Sequence, residues 1–274
     1  MITYNTNTFS SLIDETSFCL GEVNRLSFMT GAIFPLIPHY DKSLLLKYIT
    51  CKSIADTSAF GVELCSSIMK VFFGDNKLLE NPSNLKELLL TIVKELDSLS
   101  DESIVVKAAL LHHSIVSSTI ITNNKNQIAD ILSVFYLYKL HRLPLPYFYI
   151  DSTFINNEKL ALGDINNYIL LFLSLLSESA KKHLAHLEKV IELKSEIFSI
   201  VSKFINRPQS GKIIDFIFST PIFTAEEMSK VLGLTRGQVV RHLHVLEDCG
   251  VVKGDDKQRK RSFCFERLIN LCFK

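Results

Sequence analysis

From Ile213 to Leu268 the chain reads IIDFIFSTPIFTAEEMSKVLGLTRGQVVRHLHVLEDCGVVKGDDKQRKRSFCFERL, and its polar punctuation restricts the backbone closely. Thr224 precedes an amphipathic run and Glu227 follows three residues later. At that spacing the two side chains and the first free N–H groups of a helix satisfy one another. Thr235 opens a second such run, and Gly250 stands just past its end, where a helix commonly turns left-handed. The pattern predicts helix over 212–219, a turn at TPIF, helix over 224–232, a turn at Gly233-Leu234 and helix over 235–248. A strand, a tight turn at Gly254-Asp255-Asp256 and a second strand then follow. Three helices and a two-stranded hairpin in this order describe a winged helix-turn-helix. Val239, Val240, Leu243 and Leu246 are the expected inner face of its third helix.

Charge is distributed unevenly. The whole chain carries a net charge of only +1, but residues 203–274 hold 13 Lys and Arg against 8 Asp and Glu, and the rest holds 17 against 21. The basic excess lies where a nucleic-acid reader needs it. Thr235, Arg236, Gln238, Arg241 and His242 at the start of the third helix are candidate nucleic-acid-binding residues, as are Lys257, Arg259, Lys260 and Arg261 in the wing. The cations among them suit phosphates, and Gln238 suits a base edge. Neutralising some four to six phosphates gives a log–log salt slope of about −4 to −5. A module that contacts protein through a solvated basic wing fits the same residues, so DNA and a protein partner both remain open.

Upstream, helical periodicity dominates, and only 10 Gly and 7 Pro interrupt 274 residues. The pattern predicts one or two helices over 41–73 with Gly61 as the break, a loop at GDNKLLENPSN, and a helix over 84–96 opened by Asn84. Another helix follows, capped by Ser100 or Asp101 and containing KAALLHHSIVSS. A polar turn, TNNKNQ, leads into the strongly apolar helix IADILSVFYLYKL. Pro144 and Pro146 force an extended connector, a long helical run covers 159–204, and RPQSGK at 207–212 marks the boundary between residues 1–205 and 206–274. The start MITYNTNTFSSLIDE has no basic stretch before an apolar one. YILLFLSLL, from Tyr168, is far shorter than the roughly 20 residues a membrane span needs. A cytoplasmic protein without a membrane association is expected. The six cysteines form no CxxC pair and read as reduced thiols. His112 and His113 are adjacent, and His183 and His186 lie three apart without a further ligand at helical spacing, so all four read as structural or surface histidines, and no metal is implied.

The middle of the chain resembles the Fic (Fido) family, whose members transfer AMP or another phosphate-bearing group to a hydroxyl. The family signature HPFxDGNGRxxR lies between two helices, and KAALLHHSIVSS and IADILSVFYLYKLHRLPLPYFYIDSTFINN resemble the segments on either side of it. That register sets TIITNNKNQIAD on the signature without a gap. Thr119 then takes the place of the catalytic His, and Asn123 that of the metal-holding carboxylate. Asn124, Lys125 and Asn126 take the place of Gly-Asn-Gly, and Gln127 and Asp130 stand for the two Arg residues. CKSIADTSAFG resembles the family's inhibitory helix, with Asp56 on its leading Ser, Phe60 on its Glu and Gly61 on its Gly. Many bacterial members also end in a winged helix.

The resemblance implies an all-α Fic-like helical bundle (leader 1–60, core 61–157, extension 158–205) followed by the winged helix-turn-helix domain. It also implies lost chemistry. Thr119 does not titrate near neutrality and cannot act as base. Gln127 carries no charge for a phosphate clamp, Asn123 is a poor Mg²⁺ ligand, and Asp130 repels phosphate. The ten or so residues between Phe73 and Leu85 leave little room for the family's substrate-aligning flap. The expected protein has no cofactor and no AMP-transfer activity, and acts through DNA or a protein partner; the helical body leaves homodimerisation open. The alternatives are an interaction scaffold and a surviving nucleotidyltransferase with Lys125 facing phosphate.

Overall fold

A computed structural model describes residues 9–30, 42–74, 82–121, 124–140, 142–143, 164–256 and 261–272. Among these residues the protein is mainly helical, with eleven helices and one three-stranded sheet. No described helix is long and apolar enough to cross a membrane. The chain divides into two compact units, Met1–Asn24 with His39–His183 and Arg25–Pro38 with Leu184–Lys274.

The first unit contains most of α1 (Ser10–Thr30), then α2 (Lys42–Thr57), α3 (Val62–Phe73), α4 (Pro82–Ser98), α5 (Ile104–Val116), α6 (Lys125–Lys139) and the first part of α7 (Ile165–Val201). Gly61 separates α2 from α3, as the sequence predicts. Helix α6 buries Ile128, Ala129 and every residue from Ile131 to Leu137, so over its second half it is covered on all sides and central. Two helix starts differ from expectation. Helix α4 opens at Pro82 instead of Asn84, because proline's missing N–H has no intrahelical acceptor in the first turn anyway. The residue before α5 is Ser103, not Ser100 or Asp101, and its side chain makes no capping bond. Cys51 and Cys65 are buried free thiols, and burial pushes both up to about 12.

The second unit is built on α8 (Arg207–Ser219), β1 (Ile222–Thr224), α9 (Ala225–Leu232), α10 (Arg236–Asp248), β2 (Lys253–Gly254), β3 (Ser262–Cys264) and α11 (Glu266–Cys272). RPQSGK is the first turn and a half of α8 and not a linker. Asn206 accepts from the Gln209 N–H at 3.0 Å, and Pro208 sits in the first turn, where it is tolerated. The sheet order is β1-β3-β2, all antiparallel, with Ile222 and Lys253 both opposite Cys264. TPIF is therefore partly strand, and Gly254 pairs with Phe263 inside β2 and does not begin the hairpin turn. Aromatic rings fill the core: Phe216 and Phe263 meet Phe223 at 5.0 and 5.9 Å, and Phe218 meets Phe265 at 5.2 Å. Val239, Leu243 and Leu246 face this core, but Val240 is 42% exposed. One residue along a helix is a 100° step, so the stripe that buries Val239 turns its neighbour outward.

Candidate functional site

The sequence points to two candidate sites, and each lies within one unit. The first is the turn between α5 and α6. After α5, the Ser118 hydroxyl accepts from the Ile120 N–H at 3.1 Å. Thr119 is exposed, Ile121 is buried, and Asn123 lies outside the described residues. Asn124 opens α6 in the left-handed region (φ 56°) and is the one described non-glycine residue with positive φ. Asparagine tolerates that conformation better than most side chains. Its side chain makes no capping bond. Lys125 and Asn126 are half-buried, and Gln127 is exposed.

Asp130 meets His112 of α5. Its carboxylate accepts from His112 Nε2 at 2.9 Å, and Tyr168 from α7 donates its hydroxyl to His112 Nδ1 at 2.6 Å. His112 is fully buried, so this chain of bonds satisfies both ring nitrogens. Burial, with the Asp130 charge beside it, raises the Tyr168 hydroxyl well above the ordinary tyrosine range and keeps it a donor. Tyr168 also carries His113 edge-on at 4.7 Å. Asp130, His112 and Tyr168 thus join α6, α5 and α7.

The segment that resembles the inhibitory helix ends early: α2 stops at Thr57, so Phe60 and Gly61 lie in the connection to α3. Asp56 accepts from Lys52 at 2.7 Å and from the Tyr138 hydroxyl, and Lys139 donates to the Ala55 carbonyl. Burial acts to raise the Asp56 carboxyl, but Lys52 and Tyr138 outweigh it and hold it below the ordinary range. Phe60 packs edge-on against Tyr136 at 4.8 Å. These residues fasten α2 to α6.

The second candidate is the face of α10. Thr235 and Gln238 form a capping box, in which the Gln238 Oε1 accepts from the Thr235 N–H and hydroxyl, both at 2.9 Å. The T-x-x-Q spacing carries this signal as clearly as Thr224 and Glu227 carry theirs. His242 is half-buried, and burial followed by the nearby Arg241 lowers its pKa. Arg236 and Arg241 are exposed, and among the described residues neither meets a carboxylate. Lys257, Arg259 and Lys260 lie outside the described residues.

Arg261 is engaged. Its guanidinium donates to Glu247 at 2.7 Å and to the Asp255 carbonyl at 2.9 Å, and it stacks over Phe263. Glu247 also accepts from the Gly254 N–H at 3.2 Å, and a Cβ at Gly254 would overlap the guanidinium. Glu247, which the sequence pattern does not single out, therefore ties the hairpin base to the end of α10. Glu247→Ala is expected to cost about 1 kcal/mol, because the pair is partly exposed. It should also speed hydrogen exchange at the Gly254 amide several-fold, measured by NMR; unchanged exchange would remove the clamp. No protein-family model matches the chain, and no curated protein matches it.

Proposed function

We propose that this chain is a Fic-fold protein that has lost transfer chemistry and that binds duplex DNA in a regulatory role through a C-terminal winged helix. The observation that carries the DNA reading is a contrast among arginines of the second unit. Arg261 and Arg267 are neutralised by Glu247 and Glu196 at 2.7 Å each, whereas Arg236 and Arg241 stand exposed on α10 without a carboxylate among the described residues. The N-terminal end of α10 adds the positive end of a helix dipole to the same place. The order of helix, strand, two helices and hairpin, with the sheet order β1-β3-β2, fits a winged helix.

Support for lost chemistry comes from the residues at the turn. The left-handed Asn124 stands where the signature has a glycine, which favours the register. In that register Thr119 supplies no base, Gln127 supplies no charge, and Asp130 is turned toward His112. Calorimetry with Mg-ATP is expected to show nothing tighter than millimolar. Thr119→His alone is expected to leave the chain inactive, because the clamps are still missing. Micromolar ATP binding, or transfer by that single variant, would overturn this part.

The DNA part is tested by titrating the full chain into a fluorescent random-sequence duplex at low salt. Saturable binding is expected. No binding would turn the reading toward a protein-contacting module.

A further inference from the structure

We propose, resting on the DNA reading above, that α10 selects thymine through Val240, with Arg236 and Arg241 holding the flanking phosphates. Val240 is the exposed apolar residue on this helix face, at 42%. Arg241 is its neighbour and Arg236 lies four residues before it, one turn away on the same side. Gly237, three residues before Val240, has nothing within 4 Å of an added Cβ, so the surface beside Val240 is open. An apolar side chain between two exposed cations fits an apolar group carried by a polyanion. The thymine C5 methyl in the major groove is that group, since it is the methyl a base pair presents there.

Gln238 does not compete for this role. A glutamine reads adenine by using its amide oxygen and nitrogen together. Here the oxygen is held by Thr235 at 2.9 Å from both N–H and hydroxyl. Base discrimination therefore shifts from Gln238, the residue type that suggests it, to Val240.

The test uses the full chain. Duplexes are selected by the wild-type protein from a pool with a random centre, then resynthesised with deoxyuridine for every thymidine. Burying one methyl corresponds to about a fourfold affinity difference, so the wild type should bind the deoxyuridine duplexes about fourfold more weakly. Val240→Ser, at the same exposed site, replaces the apolar surface with a hydroxyl and should bind both forms alike. Equal binding of both forms by the wild type overturns the proposal, as does undiminished discrimination in Val240→Ser. In either case the DNA reading stands. Failure to bind any duplex overturns that reading and this one together.

Discussion

His112→Ala is expected to be among the most destabilising single changes in the first unit, at about 3–5 kcal/mol. His112 is fully buried and bonded through both ring nitrogens. Truncation removes packing against Phe172, whose ring lies 5.0 Å away, and leaves a cavity. It also strands the buried Tyr168 hydroxyl and takes one bond from the partly exposed Asp130 carboxylate, and an unpaired buried polar group costs more than the bond it loses. Tyr168→Phe strands only Nδ1 and should cost about 1–2 kcal/mol. Asp130→Asn keeps an oxygen to accept from Nε2 and should cost less than His112→Ala. Urea unfolding followed by circular dichroism checks the order. If His112→Ala costs no more than Tyr168→Phe, the three residues do not act as one network.

The second large effect concerns DNA. Arg236→Ala and Arg241→Ala together are expected to weaken duplex binding about a hundredfold or more at low salt. Each removes a charge-assisted bond worth about 1.5–3 kcal/mol. Both side chains are exposed, so folding should be unaffected, and an unchanged melting temperature separates the two effects. Arg261→Ala should act differently. Its charge is already neutralised by Glu247, so it releases few counterions on binding.

Local punctuation makes much of the fold legible. The box at Thr224 and Glu227, the break at Gly61 and the left-handed Gly233 and Gly250 act within a few residues, and the structure has each where the sequence places it. What escapes the sequence depends on distant partners or on helix phase. Strand β1 exists because Ile222–Thr224 pair with Ser262–Cys264, about forty residues on, which no local pattern in TPIF reports. Helix α8 starts early because Pro208 and Gly211 fall in its first turns, where they read as breakers but are tolerated. Helix α11 is a single short segment after the hairpin, with no periodicity long enough to read. At the candidate sites, residue types are legible and their commitments are not. Asp130 can be placed on the signature, but its bond to His112 joins residues 18 apart, and Tyr168 lies 56 from His112. Arg261 reads as a free wing cation in the sequence, because nothing local reports Glu247 beside it. Val240 reads as inward because it adjoins Val239, and one helical step turns it out.

The salt dependence of DNA binding separates contact through the α10 arginines from any other mode. The full chain and the Arg236→Ala/Arg241→Ala variant are titrated with one labelled duplex between about 50 and 200 mM salt, and binding is followed by fluorescence anisotropy. The expected wild-type log–log slope is about −4 to −5, and that of the variant is shallower by about 2, at roughly 0.9 for each phosphate no longer neutralised. A wild type that does not bind at low salt, or a variant with the wild-type slope, would contradict DNA contact through these arginines.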